Sequence, residues 1–210
     1  METISAKVAS ALLEIGAIKL SPEKPFVWAS GWNSPIYCDN RYSLSYPAVR
    51  TLVKNGLADL VKKHYPGVQA IAGVATAGIP QGALIADILE LPFLYVRPKP
   101  KDHGMGNQIE GKSEPGLKVV VVEDLISTGG SSLKAVDALK AGGVEVLGMV
   151  AIFTYGFGLA DENFKKAGVQ LHTLSNYEEL LKEAEKQNKI PSSALQSLGE
   201  WRKDPASWKV

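Results

Sequence analysis

Two acids stand side by side at Glu123 and Asp124, and beyond Leu125 and Ile126 come Ser127, Thr128, Gly129, Gly130 and Ser131. Carboxylates repel phosphate, so the acid pair suits sugar hydroxyls or a metal ion. The run of hydroxyls and glycines has the opposite chemistry. Glycine lets backbone approach a ligand closely, and free N–H groups at a helix start attract anions. Taken together, the residues of Lys118–Ser132 describe a ligand that is both a sugar and a phosphate. An isolated Glu-Asp pair more often caps a helix. Here an apolar run, two acids, small residues and a helical pattern follow in order, and that order favours the ligand.

Such a loop needs a strand before it and a helix after it. Val119–Val122 is apolar on both faces, which predicts a central parallel strand covered by helices on each side. Open α/β sheets bind ligands at the carboxyl ends of their strands. Ser132–Ala141 predicts the following helix, ended by Gly142-Gly143. A second unit of the same kind precedes it. Gln69–Val74 reads as a buried strand, Ala75–Pro80 as a glycine-containing loop with Thr76, Ala77 and Gly78, and a helix continues through Leu89. Phe93–Val96, Val144–Tyr155 and Val169–Leu174 predict further strands, with helices over 3–17, Pro47–His64 and Tyr177–Lys189 and a short one in the tail from Pro191.

Two stretches break this alternation. Residues 97–116 show no apolar periodicity and carry Arg97, Lys99, Lys101, His103 and Lys112. A loop of roughly twenty residues in a compact protein is commonly a functional lid, and Gly104, Gly106 and Gly111 suit its movement. His103 is a poor metal ligand, because His64 and His172 fall in different elements. Leu20–Tyr42 is rich in proline and aromatic residues and predicts short strands and turns, with Ala29–Tyr37 as a hairpin or cover. The expectation is an α/β fold with a mostly parallel central sheet flanked by helices. It forms one domain over 1–210, in which 1–45 contribute a small N-terminal hood.

The bulk composition narrows the partners. A net charge of +1 gives no electrostatic case for nucleic acid or a membrane surface. Cys38 is the sole cysteine, which rules out an intrachain disulfide and fits a reducing, cytoplasmic setting. No secretory leader and no membrane span of about 20 apolar residues is apparent.

Val119–Ser132 resembles the phosphoribosyl-diphosphate (PRPP) signature of the type I phosphoribosyltransferases. Lys101-Asp102-His103-Gly104 and the Ser-Gly-x-x-Ser-Pro-x-Tyr run at Ser30–Tyr37 are similar, more narrowly, to the lid and hood of the orotate phosphoribosyltransferase family. That resemblance implies a transferase of pyrimidine biosynthesis that joins orotate to PRPP, with Mg²⁺ as cofactor. Glu123 and Asp124 would hold ribose hydroxyls. Leu125, Ile126, Ser127, Thr128, Gly129, Gly130 and Ser131 would complete the PRPP site, and Thr76, Ala77 and Gly78 the pyrophosphate loop. Arg97, Lys101 and His103 would meet pyrophosphate, across the interface of a homodimer. Lys101, His103 and Asp124 would be catalytic, no side chain would ligate metal directly, and Ser127, Ile36 and Tyr37 would lie near orotate. The chain departs from the family's pattern at Ala29, Ala77 and Pro98, where basic residues are common, and in Thr154–Gly158, which lacks an arginine. A purine phosphoribosyltransferase and a non-catalytic PRPP sensor are the competing readings. The lid and hood oppose the first, and the near-neutral charge opposes a nucleic-acid-binding form of the second.

Overall fold

The computed structural model describes residues 2–28, 31–99 and 108–208. Helix α1 (Ile4–Glu14) starts on Thr3, whose hydroxyl accepts from the Ala6 N–H. It ends at Ile15 because Gly16 turns left-handed. Strands β1 (Ile18–Leu20), β2 (Phe26–Val27), β3 (Asn33–Ser34) and β4 (Ile36–Cys38) follow, then a 3-10 turn over Asn40–Ser45. β1 pairs with β4 and β2 with β3, both antiparallel. These are the short strands expected of the proline-rich hood.

Helix α2 (Pro47–His64) opens with proline at its first position, where the missing N–H costs nothing. Then come β5 (Ala70–Val74), α3 (Gly78–Leu89), β6 (Phe93–Val96), β7 (Ile109–Glu110), β8 (Lys118–Ile126) and α4 (Gly130–Ala141). The chain continues through β9 (Glu145–Thr154), α5 (Gly158–Ala167), β10 (Leu171–Asn176), α6 (Tyr177–Lys186) and α7 (Leu195–Lys203). Six strands form one sheet in the order β10-β9-β8-β5-β6-β7, parallel except for β7 against β6.

The valine run lies at the centre, buried on both faces as its composition requires. Val120 and Val122 pack with Leu12 of α1, Leu57 of α2, Ile85 of α3 and Leu180 of α6. Val119 and Val121 pack with Val136 and Leu139 of α4 and Phe164 of α5. The sheet is thus sandwiched between two helical layers.

Three differences from the sequence reading have physical causes. β8 does not end at Val122 but runs to Ile126, because β9 goes on pairing with it at Leu125↔Phe153 and Ile126↔Thr154. The two acids therefore sit inside a strand. β7 was not anticipated: its two residues pair with β6 at Tyr95↔Glu110 and Val96↔Ile109 and carry no strand signal of their own. Helix α5 was not anticipated: only Ala160 and Phe164 of it are buried, which leaves little apolar spacing to read.

Candidate active site

β5 and β8 are neighbours in the sheet, and each delivers a helix N-terminus at its carboxyl end. Neither α3 nor α4 has a side-chain cap or an acid in its first turn. The first N–H groups of α4 are therefore available to anions, whereas at α3 the Ile79 N–H turns back to the Thr76 carbonyl at 3.3 Å and Pro80 has none, which leaves Gly78 as the donor among its first three residues. Two such termini on adjacent strands suit a ligand with phosphate at two ends.

The α4 terminus belongs to the hydroxyl-glycine loop. Gly129 occupies its cap position at φ +78, a region that disfavours side chains, and a Cβ there would come within 2.6 Å of the Phe164 ring. Helix α5 fixes the loop from the other side, where Asn163 Nδ2 donates to the Thr128 carbonyl at 2.9 Å. The α3 terminus belongs to Thr76, Ala77 and Gly78, and the Ala75–Thr76 peptide is cis. Gly78 lies directly against the Val122 carbonyl, which leaves no room for a Cβ. Glycine at that position lets α3 sit down on β8 beside the acids.

Glu123 is 7% exposed. One of its oxygens accepts from the Asp124 N–H at 3.0 Å and the other from Ser132 Oγ at 3.0 Å. Burial, reinforced by the neighbouring Asp124 charge, raises its pKa. Asp124 is half-buried and also raised, chiefly by burial, while the Glu123 contact and Arg41 pull the other way. Of the two, Asp124 is the carboxyl with room for a ligand.

Beside this cradle lies a cavity of about 330 Å³ lined by Val27, Trp28, Tyr37, Cys38, Leu125, Ser127 and Tyr155. Its walls are apolar and aromatic, with the Trp28 and Tyr155 rings 5.2 Å apart. A flat heterocycle fits that chemistry. Ser127 belongs both to this cavity and to the anion loop, so the two ligand parts would meet there. Tyr37 lines this cavity, whereas Ile36 does not: it is fully buried in the core, and its carbonyl accepts from Trp28 Nε1 at 3.1 Å. Trp28, Cys38 and Tyr155 were missed in the sequence, although an aromatic residue at the carboxyl end of a strand was a usable signal for Tyr155.

A further cavity of about 270 Å³ opens between β6 and α4, lined by Ala75, Arg97, Gln108, Ser131 and Lys134 among others. Arg97 was read in the sequence as a pyrophosphate contact, whereas Lys134 was given no role. The Arg97 N–H donates to the Gln108 carbonyl at 2.9 Å, and Gln108 Nε2 donates back to the Arg97 carbonyl at 2.8 Å. The first residue of the sequence-predicted lid is thus tied to Gln108 within it. Lys101 and His103 lie outside the described residues, as does Ser30 of the hood motif.

Among the described residues no group of three or more His, Cys, Asp and Glu could hold a metal. With both oxygens of Glu123 already accepting hydrogen bonds, the donor set fits Mg²⁺ only in its usual manner, through one carboxylate and substrate oxygens.

Fold and site together define a phosphoribosyltransferase, and the family model for the phosphoribosyl transferase domain matches residues 46–180. The chain is 66% identical over 203 residues to orotate phosphoribosyltransferase of Cytophaga hutchinsonii, covering 97% of each chain. It is 54% identical to that of Porphyromonas gingivalis over the full length of both. Among solved structures, orotate phosphoribosyltransferase from Aeropyrum pernix superposes with a TM-score of 0.75 at 31% identity, over 87% of this chain and 99% of that one. The chain belongs to the orotate phosphoribosyltransferase family.

Proposed function

We propose that this protein transfers the 5-phosphoribosyl group of PRPP to orotate, giving orotidine 5-phosphate and pyrophosphate in pyrimidine biosynthesis. The observation that carries this reading is Ser127, where the heterocycle cavity and the anion loop meet. A ring nitrogen of orotate forms a bond to C1 of the ribose and gives up its proton to solvent or to the pyrophosphate oxygens, as the bond from C1 to pyrophosphate breaks. The departing pyrophosphate takes the electron pair.

The residues divide the task. The α4 N-terminus, with Thr128, Gly129, Gly130 and Ser131, receives the 5-phosphate. Asp124, backed by Glu123, accepts from the ribose hydroxyls. Thr76, Ala77 and Gly78 at the α3 N-terminus receive pyrophosphate. Arg97 stands at the mouth of the second cavity, and Lys101 and His103 of the lid complete the cationic set. Cations placed where charge accumulates on the leaving group stabilise the transition state by about 3–4 kcal/mol per contact in favourable cases. Mg²⁺ carried with PRPP would neutralise part of the pyrophosphate charge. The lid is offered to the partner subunit of a homodimer, and the setting is cytoplasmic.

The test is the loss of orotate absorbance on adding PRPP and Mg²⁺. Turnover of a purine base but not of orotate would overturn the assignment.

A further inference from the structure

Asn40 lies in the 3-10 turn between the hood and α2 and is fully buried. A buried amide without partners is costly, so its bonds report what it is for. Its Nδ2 donates to the Asp124 carbonyl at 2.8 Å. Its Oδ1 accepts from Cys38 Sγ at 3.4 Å. Its own carbonyl accepts from Ser43 Oγ at 2.6 Å, and that hydroxyl accepts from Gln81 Nε2 of α3 at 3.2 Å.

The location of these bonds matters more than their number. β5 pairs with β8 only as far as Gly73↔Val122, so β8 carries its two acids onward with β9 as sheet partner. On that stretch the Asp124 carbonyl accepts from Asn40. The peptide so held joins Asp124 of the sugar cradle to Leu125, which lines the heterocycle cavity. Cys38, at the other end of the Asn40 amide, lines the same cavity. One buried side chain thus touches the wall of the heterocycle cavity and the strand that presents the acid.

We infer that Asn40 is a positioning residue that locks the heterocycle cavity and the sugar cradle into one frame, so that the attacking nitrogen and the ribose C1 meet in line. The inference rests on the proposed reaction for the identity of the two ligands. It requires an effect on turnover that separates from binding, because each cavity keeps its own lining when Asn40 is lost.

The experiment uses the full chain carrying Asn40→Ala and, in parallel, Asn40→Ser, whose hydroxyl water can serve if the alanine variant fails to fold. Turnover of orotate should fall roughly 10²-fold, the usual cost of a misplacement of about 1 Å. The dissociation constants of ribose 5-phosphate and of orotate, each titrated alone by calorimetry, should stay within about threefold of the parent. Turnover within that same margin in a folded variant overturns the inference. So does a loss of binding of each ligand in proportion to turnover, since that marks a purely structural role. If the parent itself does not convert orotate, the proposed function fails, and amide hydrogen exchange then decides on Asn40. Faster exchange confined to Glu123–Ser127 supports the inference, and unchanged exchange there overturns it.

Discussion

At the scale of single residues, the acid pair couples ligand chemistry to stability. Glu123 is raised because burial, and then the Asp124 charge, disfavour its ionised form. The folded chain therefore holds this proton more tightly than the unfolded chain does. Stability falls as pH rises from the ordinary carboxylate range near 4.5 towards neutrality. Glu123→Gln removes the titration, keeps an acceptor for Ser132 and should flatten that dependence. The variant's thermal midpoint should move less than the parent's between acid and neutral pH, as measured by calorimetry. An identical slope would assign the pH dependence to other groups. The sequence made the acids and the small-residue loop legible because their chemistry is local. Asn40, Cys38 and Gln81 were not legible, since Asn40 meets Asp124 only across 84 positions of chain. Ile36 is placed by the strand itself. It neighbours Tyr37, but alternation in a strand sends adjacent side chains to opposite faces, and Ile36 faces the core.

At the scale of elements, glycine sets how closely α3 and the α4 loop approach the sheet. Gly78→Ala would force a Cβ into the Val122 carbonyl and push α3 away from β8. A stability loss of about 1–3 kcal/mol is expected from such overpacking. PRPP affinity should fall while orotate binding alone is unaffected, because the α3 terminus is the proposed pyrophosphate loop. Chemical denaturation and ligand titration read both effects, and an unchanged PRPP affinity would remove this terminus from the site. The long elements were readable from the chain. Pro47–His64 has a proline start and helical apolar spacing, and it forms a helix with those bounds. Val119–Val122 could be nothing but a buried strand. Its extension through Glu123 and Asp124 was hidden because acids are poor strand formers and only pairing with β9 holds them there.

At the scale of the whole molecule, distant segments share one task. Trp201 of α7 is fully buried and packs edge-on against Trp28 and Tyr155, at 5.7 and 5.8 Å. Its Nε1 donates to the Asn33 carbonyl of the hood at 3.2 Å. Trp201→Ala should cost about 3–5 kcal/mol. It should also raise the KM for orotate more than that for PRPP, since the aromatic wall it supports belongs to the heterocycle cavity. Equal rises in steady-state assays would show that α7 supports the fold alone. The proposal that the lid is shared between subunits gives another expectation. Lys101→Ala and Asp124→Ala, each inactive alone, should regain part of the parent turnover in mixed dimers, and no recovery in verified mixed dimers would confine the lid to its own subunit.

The bond from Trp201 to Asn33 spans 168 positions of chain. A ribosome adds about 5–20 residues per second. By that rate about 8–34 s separate the synthesis of Asn33 from that of Trp201. Throughout this interval Trp28 and Tyr155, which line the heterocycle cavity, lack the Trp201 ring that packs edge-on against both. The aromatic packing behind that cavity is thus completed only after the central sheet has been made.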